Sequence, residues 1–145
     1  MIDASLMPVV EYAPGVPHEV RQALEPHLVK WSFLLPAWCH VLQVIWGEEH
    51  PQGALEMVAH YEYRSAELWV YSNYLTREDV REEKIIHELL HVSTAPMDLQ
   101  MRQLRDALVR LCPDLEQWAT ENIRSSVESV VSDLARSLLT KPAWQ

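Results

Sequence analysis

The segment Ile85-Ile86-His87-Glu88-Leu89-Leu90-His91-Val92 holds the residues best suited to chemistry in this chain. It contains HExxH. Two His at i and i+4 share one face of a helix, the spacing that suits two ligands of one Zn²⁺. The carboxylate of Glu88 between them can take a proton from a water that the metal activates. The chemistry implied is zinc-assisted hydrolysis, most naturally of a peptide bond.

From average residue usage, a chain of this length contains HExxH by accident on the order of once in a few hundred cases. The surroundings therefore matter. On a helical wheel Ile85, Ile86, Leu89, Leu90 and Val92 cover most of the circumference, and His87, Glu88 and His91 occupy the remaining arc. A helix apolar nearly all round is a buried one. Its polar trio must then lie inside the protein or in a cleft, where unpartnered polar groups are costly. A metal ion would satisfy all three.

A catalytic zinc site usually has three protein ligands. The metzincin continuation needs Gly three residues after the second His and a ligand three further on. Thr94 and Met97 stand at those positions and exclude it. A Glu from a later helix is the remaining common solution. Glu116, Glu121 and Glu128 all fall on the last predicted helix. Glu116 sits near the helix start, where a carboxylate has a dipole role. Glu121 and Glu128 are seven apart and share a face, and spacing favours Glu128 only slightly, because Val131 and Ala135 follow on its side. A surface carboxylate paired with Arg124 is the plainer role for Glu128. Asp98, seven residues after His91, is an alternative ligand, but reads better as an N-cap.

The elements that must position these groups follow from periodicity and punctuation. Residues 1–16 contain Pro8, Pro14 and Gly15 and read as an irregular lead-in. Pro17 to about Trp31 reads as a helix with Val20, Leu24, Leu28 and Trp31 at helical spacing. Leu34-Leu35-Pro36 is a break. His40 to Trp46 is short, apolar and β-branched, a strand; Gly47 to Gly53 is a loop. Leu55–Tyr63 and Glu67–Ser72 flank a turn at Arg64-Ser65 and suggest a hairpin. Thr76 and Asp79 resemble a capping box that opens the HExxH helix, which runs to about Val92. Pro96 and Asp98 mark a boundary. A helix over Leu99–Leu111 shows Leu104, Leu108 and Leu111 on one face. A last helix from about Pro113 to Leu139 carries the stripe Ile123, Val127, Val130, Leu134 and Leu138. The expected fold is α+β, with a three-stranded antiparallel sheet, the HExxH helix and two further C-terminal helices.

The chain has 145 residues, suited to one domain, and 48% are hydrophobic, enough for a real core. Its net charge is −9 and its Lys and Arg form no cluster, which argues against a nucleic-acid partner. Cys39 and Cys112 form no CxxC pattern and read as reduced, packed thiols. The six Trp residues are expected in the core rather than on a partner surface. Met1 to Tyr12 lacks a basic region followed by a long apolar run, so neither a signal peptide nor a membrane span is expected, and the expected compartment is the cytoplasm. His60, Tyr71 and Tyr74, in or near the strands before the HExxH helix, are candidate donors to an oxyanion. His40 reads as a strand-end residue, and His18, His27 and His50 as exposed ones.

The run Glu128-Ser-Val-Val-Ser-Asp-Leu-Ala-Arg-Ser-Leu-Leu-Thr-Lys-Pro142 resembles the C-terminal ligand helix of ImmA/IrrE-type minimal gluzincins. In that family HExxH is followed by Glu-x-x-Ala-Asn-x-Phe-Ala-x-x-Leu-Leu-x-Pro, whose first Glu is the third zinc ligand. Glu128, Leu134, Ala135, Leu138 and Leu139 match; Val131 and Ser132 replace Ala and Asn, and Pro142 falls one residue late. The chain is also similar to small metallopeptidase-like proteins of phages and prophages. Those pair an LLPxW segment and a YR hairpin with HELLH and a following Pro, as Leu34 to Trp38, Tyr63-Arg64, His87 to His91 and Pro96 do here. The resemblance covers roughly residues 34–142. It implies a three-stranded sheet beside the active-site helix, zinc held by His87, His91 and Glu128, and Glu88 as general base. The expected function is a zinc metallopeptidase acting on a protein or peptide substrate, without a nucleic-acid or membrane partner. The alternative is a zinc-stabilised, non-catalytic protein-interaction module of the same fold.

Overall fold

A computed structural model describes residues 8–48 and 53–140. The first seven residues of the expected lead-in, His50 with the rest of 49–52, and Pro142 with the rest of 141–145 lie outside the described residues. The chain divides into two compact units, Met1–Ser93 and Thr94–Gln145.

The first unit is built on a four-stranded mixed sheet with strands β1 (Val9–Tyr12), β2 (Val41–Trp46), β3 (Leu55–His60) and β4 (Ser65–Val70), in the order β1-β2-β4-β3. β3 and β4 form the expected antiparallel hairpin, with Leu55 opposite Val70 and His60 opposite Ser65. The α+β class holds. The three-stranded antiparallel sheet does not: β1 is added, and β2 lies parallel to both β1 and β4. β1 escaped the sequence because it is four residues long, bracketed by Pro8 and Pro14-Gly15, and mostly exposed. Such an edge strand exists through its pairing with β2, from Val9 opposite Val41 to Tyr12 opposite Val44. Alternation reveals a strand's two faces but not its neighbour's direction.

Helix α1 (His18–Trp31) links β1 to β2, the crossover that a parallel pair requires. Pro17 caps it in an extended conformation, and Val20, Leu24, Leu28 and Trp31 are its buried line, as their spacing predicts. On the sheet, Leu42, Val44, Ala66, Leu68 and Val70 alternate inward. β3 stops at His60 rather than Tyr63, because a 3-10 turn over Tyr61–Tyr63 and the left-handed Arg64 (φ 54°) close the hairpin. β4 correspondingly starts at Ser65 and ends at Val70. At the end of β2, a Cβ on Gly47 would come within 2.5 Å of the Tyr71 ring.

Helix α2 (Arg81–Leu111) carries HExxH. The expected capping box does not open it. Thr76 donates to the Asn73 carbonyl (2.8 Å), and two 3-10 turns, Ser72–Thr76 and Glu78–Val80, precede the helix. Its start is held from two sides. The Arg81 guanidinium donates to the carbonyls of Tyr74 (3.0 Å) and Leu75 and lies over the Tyr74 ring. Glu82 accepts from Lys30 Nζ (2.5 Å) and Trp31 Nε1 (2.8 Å) at the end of α1. Beyond them Ile85, Ile86, Leu89, Leu90 and Val92 are all buried.

The second unit contains the rest of α2, a 3-10 turn at Pro113–Leu115 and helix α3 (Glu116–Thr140). The boundary expected at Pro96 and Asp98 is absent, so one further helix follows α2 rather than two. Pro96 removes a single hydrogen bond, to the Val92 carbonyl, and strong helix formers from Leu99 to Leu104 carry the helix onward. Asp98 is therefore mid-helix and not an N-cap. The unit boundary falls beside that missing bond. On α3 the buried residues are Ala119, Val131 and Ala135, whereas Val130 and Leu134, expected in the core stripe, are 50% and 45% exposed. Cys39 is buried as expected; Cys112 is exposed, and both thiols are free. Among the described residues no helix is long and apolar enough to cross a membrane.

Two measurements check this anchoring. Gly47→Ala should overpack Tyr71 and lower stability by about 1–3 kcal/mol in denaturant melts; an unchanged midpoint would show that the ring moves freely. The Glu82 carboxyl is held below its usual pKa, first by the Lys30 bond and then by Trp31. A depressed carboxylate stabilises the fold above its unfolded pKa of about 4.3, and that contribution is lost as pH falls through the lower folded value. Glu82→Gln should flatten the acid limb of the stability profile, and an acid limb matching wild type would remove the clamp's electrostatic role.

Candidate metal centre

The apolar arc of α2 fixes how the helix is rotated, and rotation fixes where its polar residues go. With Ile85, Ile86, Leu89, Leu90 and Val92 buried, His87, Glu88 and His91 fall on the remaining arc, and all three are half-buried. The i, i+4 spacing stacks the two imidazoles one turn apart. Their ring centroids are 4.8 Å apart at an interplanar angle of 73°, and Nε2 of His87 lies 3.1 Å from Nε2 of His91. Two nitrogens each about 2.05 Å from one tetrahedral ion would be separated by about 3.3 Å. The observed pair fits that separation. It equally fits an N–H···N hydrogen bond between neutral rings. Metal binding through both Nε2 atoms instead requires both rings to carry their proton on Nδ1.

In the second unit Glu128 is exposed on α3, on the side of the buried Val131 and Ala135. It lines a shallow polar hollow with Ser125, Ser129, Ser132, Asp133 and Arg136. Glu121, the rival by spacing, is exposed and accepts from Gln117 Nε2 at 2.9 Å. Glu116 occupies the first turn of α3 and is exposed. His87 and His91 belong to the first unit and Glu128 to the second.

The candidate oxyanion donors separate by their surroundings. Tyr74 is completely buried, and burial pushes its hydroxyl up to about 12. It is a core residue under Arg81. Tyr71 donates to Glu56 Oε2 at 2.8 Å, and its hydroxyl is pushed up to about 12 by burial and then by that bond. His60 faces Glu67, with Nε2 to Oε1 at 3.6 Å. His40 precedes β2 and is exposed, as is His18, while His27 is half-buried rather than exposed. Of the tryptophans, Trp31 is buried and Trp118 is 59% exposed. The groups that sequence reasoning missed are Lys30, Trp31 and Glu82, the clamp on the turn before HExxH. They lie about fifty positions apart in the chain, and no local pattern could have joined them.

No known family model, curated protein or solved structure matches this chain.

Zinc titration of the folded protein, followed by the ring-nitrogen signals of its histidines, should shift His87 and His91 together at stoichiometric metal. His18 and His40 should not move. Equal movement of all four would indicate adventitious binding at exposed imidazoles.

Proposed function

We propose that this protein is a zinc-dependent metallopeptidase of the minimal gluzincin type, with His87, His91 and Glu128 as metal ligands and Glu88 as general base. The observation that carries this reading is the paired Nε2 atoms of His87 and His91, 3.1 Å apart and flanking Glu88 on one helix. The resemblance of the Glu128 run to the ImmA/IrrE ligand helix supports it.

A zinc ion held there would acidify water and polarise a substrate carbonyl. The protein's own part is carried by Glu88. Its carboxylate orients the attacking water and removes its proton as the water oxygen bonds to the scissile carbonyl carbon. As the C–N bond breaks, the same carboxyl group delivers that proton to the leaving amine. Atoms and charge balance with one residue acting first as base and then as acid. The substrate class is a protein or peptide. A net charge of −9 argues against nucleic acid as the substrate.

Glu88→Gln keeps the shape and removes the base. It should retain zinc while peptide hydrolysis, read by mass spectrometry on a mixed peptide library, falls by about 10²–10⁴-fold. Hydrolysis at the wild-type rate would refute the general-base role. If wild type binds zinc but cleaves nothing, the non-catalytic interaction module becomes the better reading. Glu128→Ala should weaken zinc binding by more than the roughly 10–100-fold that loss of an outer hydrogen-bond partner costs, and Glu121→Ala should leave it unchanged. The opposite ranking would reassign the third ligand.

A further inference from the structure

Helix α2 is tied to the chain at the end of α1 at two points, and HExxH lies between them. Glu82, ahead of the motif, accepts from Lys30 and Trp31. Ser93, two residues past His91, donates its hydroxyl to the Leu34 carbonyl at 2.5 Å. A serine inside a helix ordinarily turns its hydroxyl back to a carbonyl one turn earlier. This one reaches a residue 59 positions away in the chain. Its acceptor ends the 3-10 turn Ser32–Leu34, the place in a helical turn where carbonyls lack partners of their own.

The two ties share a face of α2. Eleven residues separate Glu82 from Ser93, which is about three turns and brings them within about 20° of one line. His87 and His91 lie about 130° and 170° around the helix from that line. Apolar burial is non-directional, so the packing of Ile85, Ile86, Leu89, Leu90 and Val92 resists rotation more than a small slide along the axis. Hydrogen bonds on either side of the imidazoles remove that slide.

The second tie stands where the helix ladder is broken. Pro96 takes away the bond to the Val92 carbonyl, directly after His91, and proline sites are where helices bend. The turn that carries His91 borders this gap; the one that carries His87 does not. We propose that Ser93 is a positioning residue for the metal centre. Its bond to the Leu34 carbonyl replaces the support that Pro96 removes and holds the His91 ring at ligand separation from the His87 ring. The role rests on the reading of HExxH as a zinc site.

Zinc affinity, measured by competition with a chelator, tests it. Ser93→Ala should bind zinc about 2–10-fold more weakly, the range of one net hydrogen bond, with unchanged circular dichroism. Its cobalt-substituted form should show shifted visible bands, the signature of altered ligand geometry. Ser93→Thr keeps the hydroxyl and should match wild type in both. Pro96→Ala makes the ladder whole, so in that background Ser93→Ala should cost little. Wild-type affinity in Ser93→Ala overturns the proposal and leaves the zinc site standing. An equal loss in Ser93→Thr, or a loss that Pro96→Ala does not relieve, overturns it too. Wild type that takes up no zinc overturns the zinc reading, and the positioning role with it.

Discussion

The burial of one apolar arc on α2 is the constraint on which the candidate site depends. Ile85, Ile86, Leu89, Leu90 and Val92 are withdrawn from water, each a side chain whose re-exposure costs about 1.5–3 kcal/mol. No rotation of the helix keeps all five covered except the one that turns His87, Glu88 and His91 to the opposite arc. Two polar clamps then fix where the helix begins. Arg81 fastens it to the carbonyls after Val70, and Glu82 fastens it to the end of α1. The two imidazoles are held one turn apart by core packing, and their 3.1 Å separation follows from it.

Much of this was legible in the sequence, and the misses have physical causes. The α1 line Val20, Leu24, Leu28 and Trp31 and the buried arc of HELLH could be read because burial imposes a local period. The hairpin of β3 and β4 could be read because its partners are close in sequence. β1 could not: four residues between prolines are too short to show a buried and an exposed face, and only pairing with β2 makes them a strand. The direction of β2 relative to β4 is likewise a property of pairing. Pro96 misled in the opposite sense, since a helix loses one hydrogen bond at a proline and can continue when its neighbours favour it. On α3 the stripe was centred on Val130 and Leu134, whereas the residues one position on, Val131 and Ala135, are buried together with Ala119. Of the site, the pair His87 and His91 and the intervening Glu88 were legible from spacing alone. The clamp through Lys30, Trp31 and Glu82 was not, because it joins residues far apart in the chain.

The two units differ in how their apolar surface is used. The first buries its large side chains in a sheet-and-helix core. In the second, Met97, Leu104, Leu111, Trp118, Val130 and Leu134 are all substantially exposed. Exposed apolar side chains at helical spacing in one unit, and paired imidazoles beside a carboxylate in the other, give the chain two distinct features to which function can be attached.

The central claim is that HExxH in this chain holds zinc. X-ray absorption at the zinc edge on the purified, metal-loaded protein tests it most directly. The account predicts about one zinc per chain, with two imidazole nitrogens and oxygen ligands at about 2.0–2.2 Å and no sulfur. A folded protein that takes up no zinc, or zinc bound through sulfur, would contradict it.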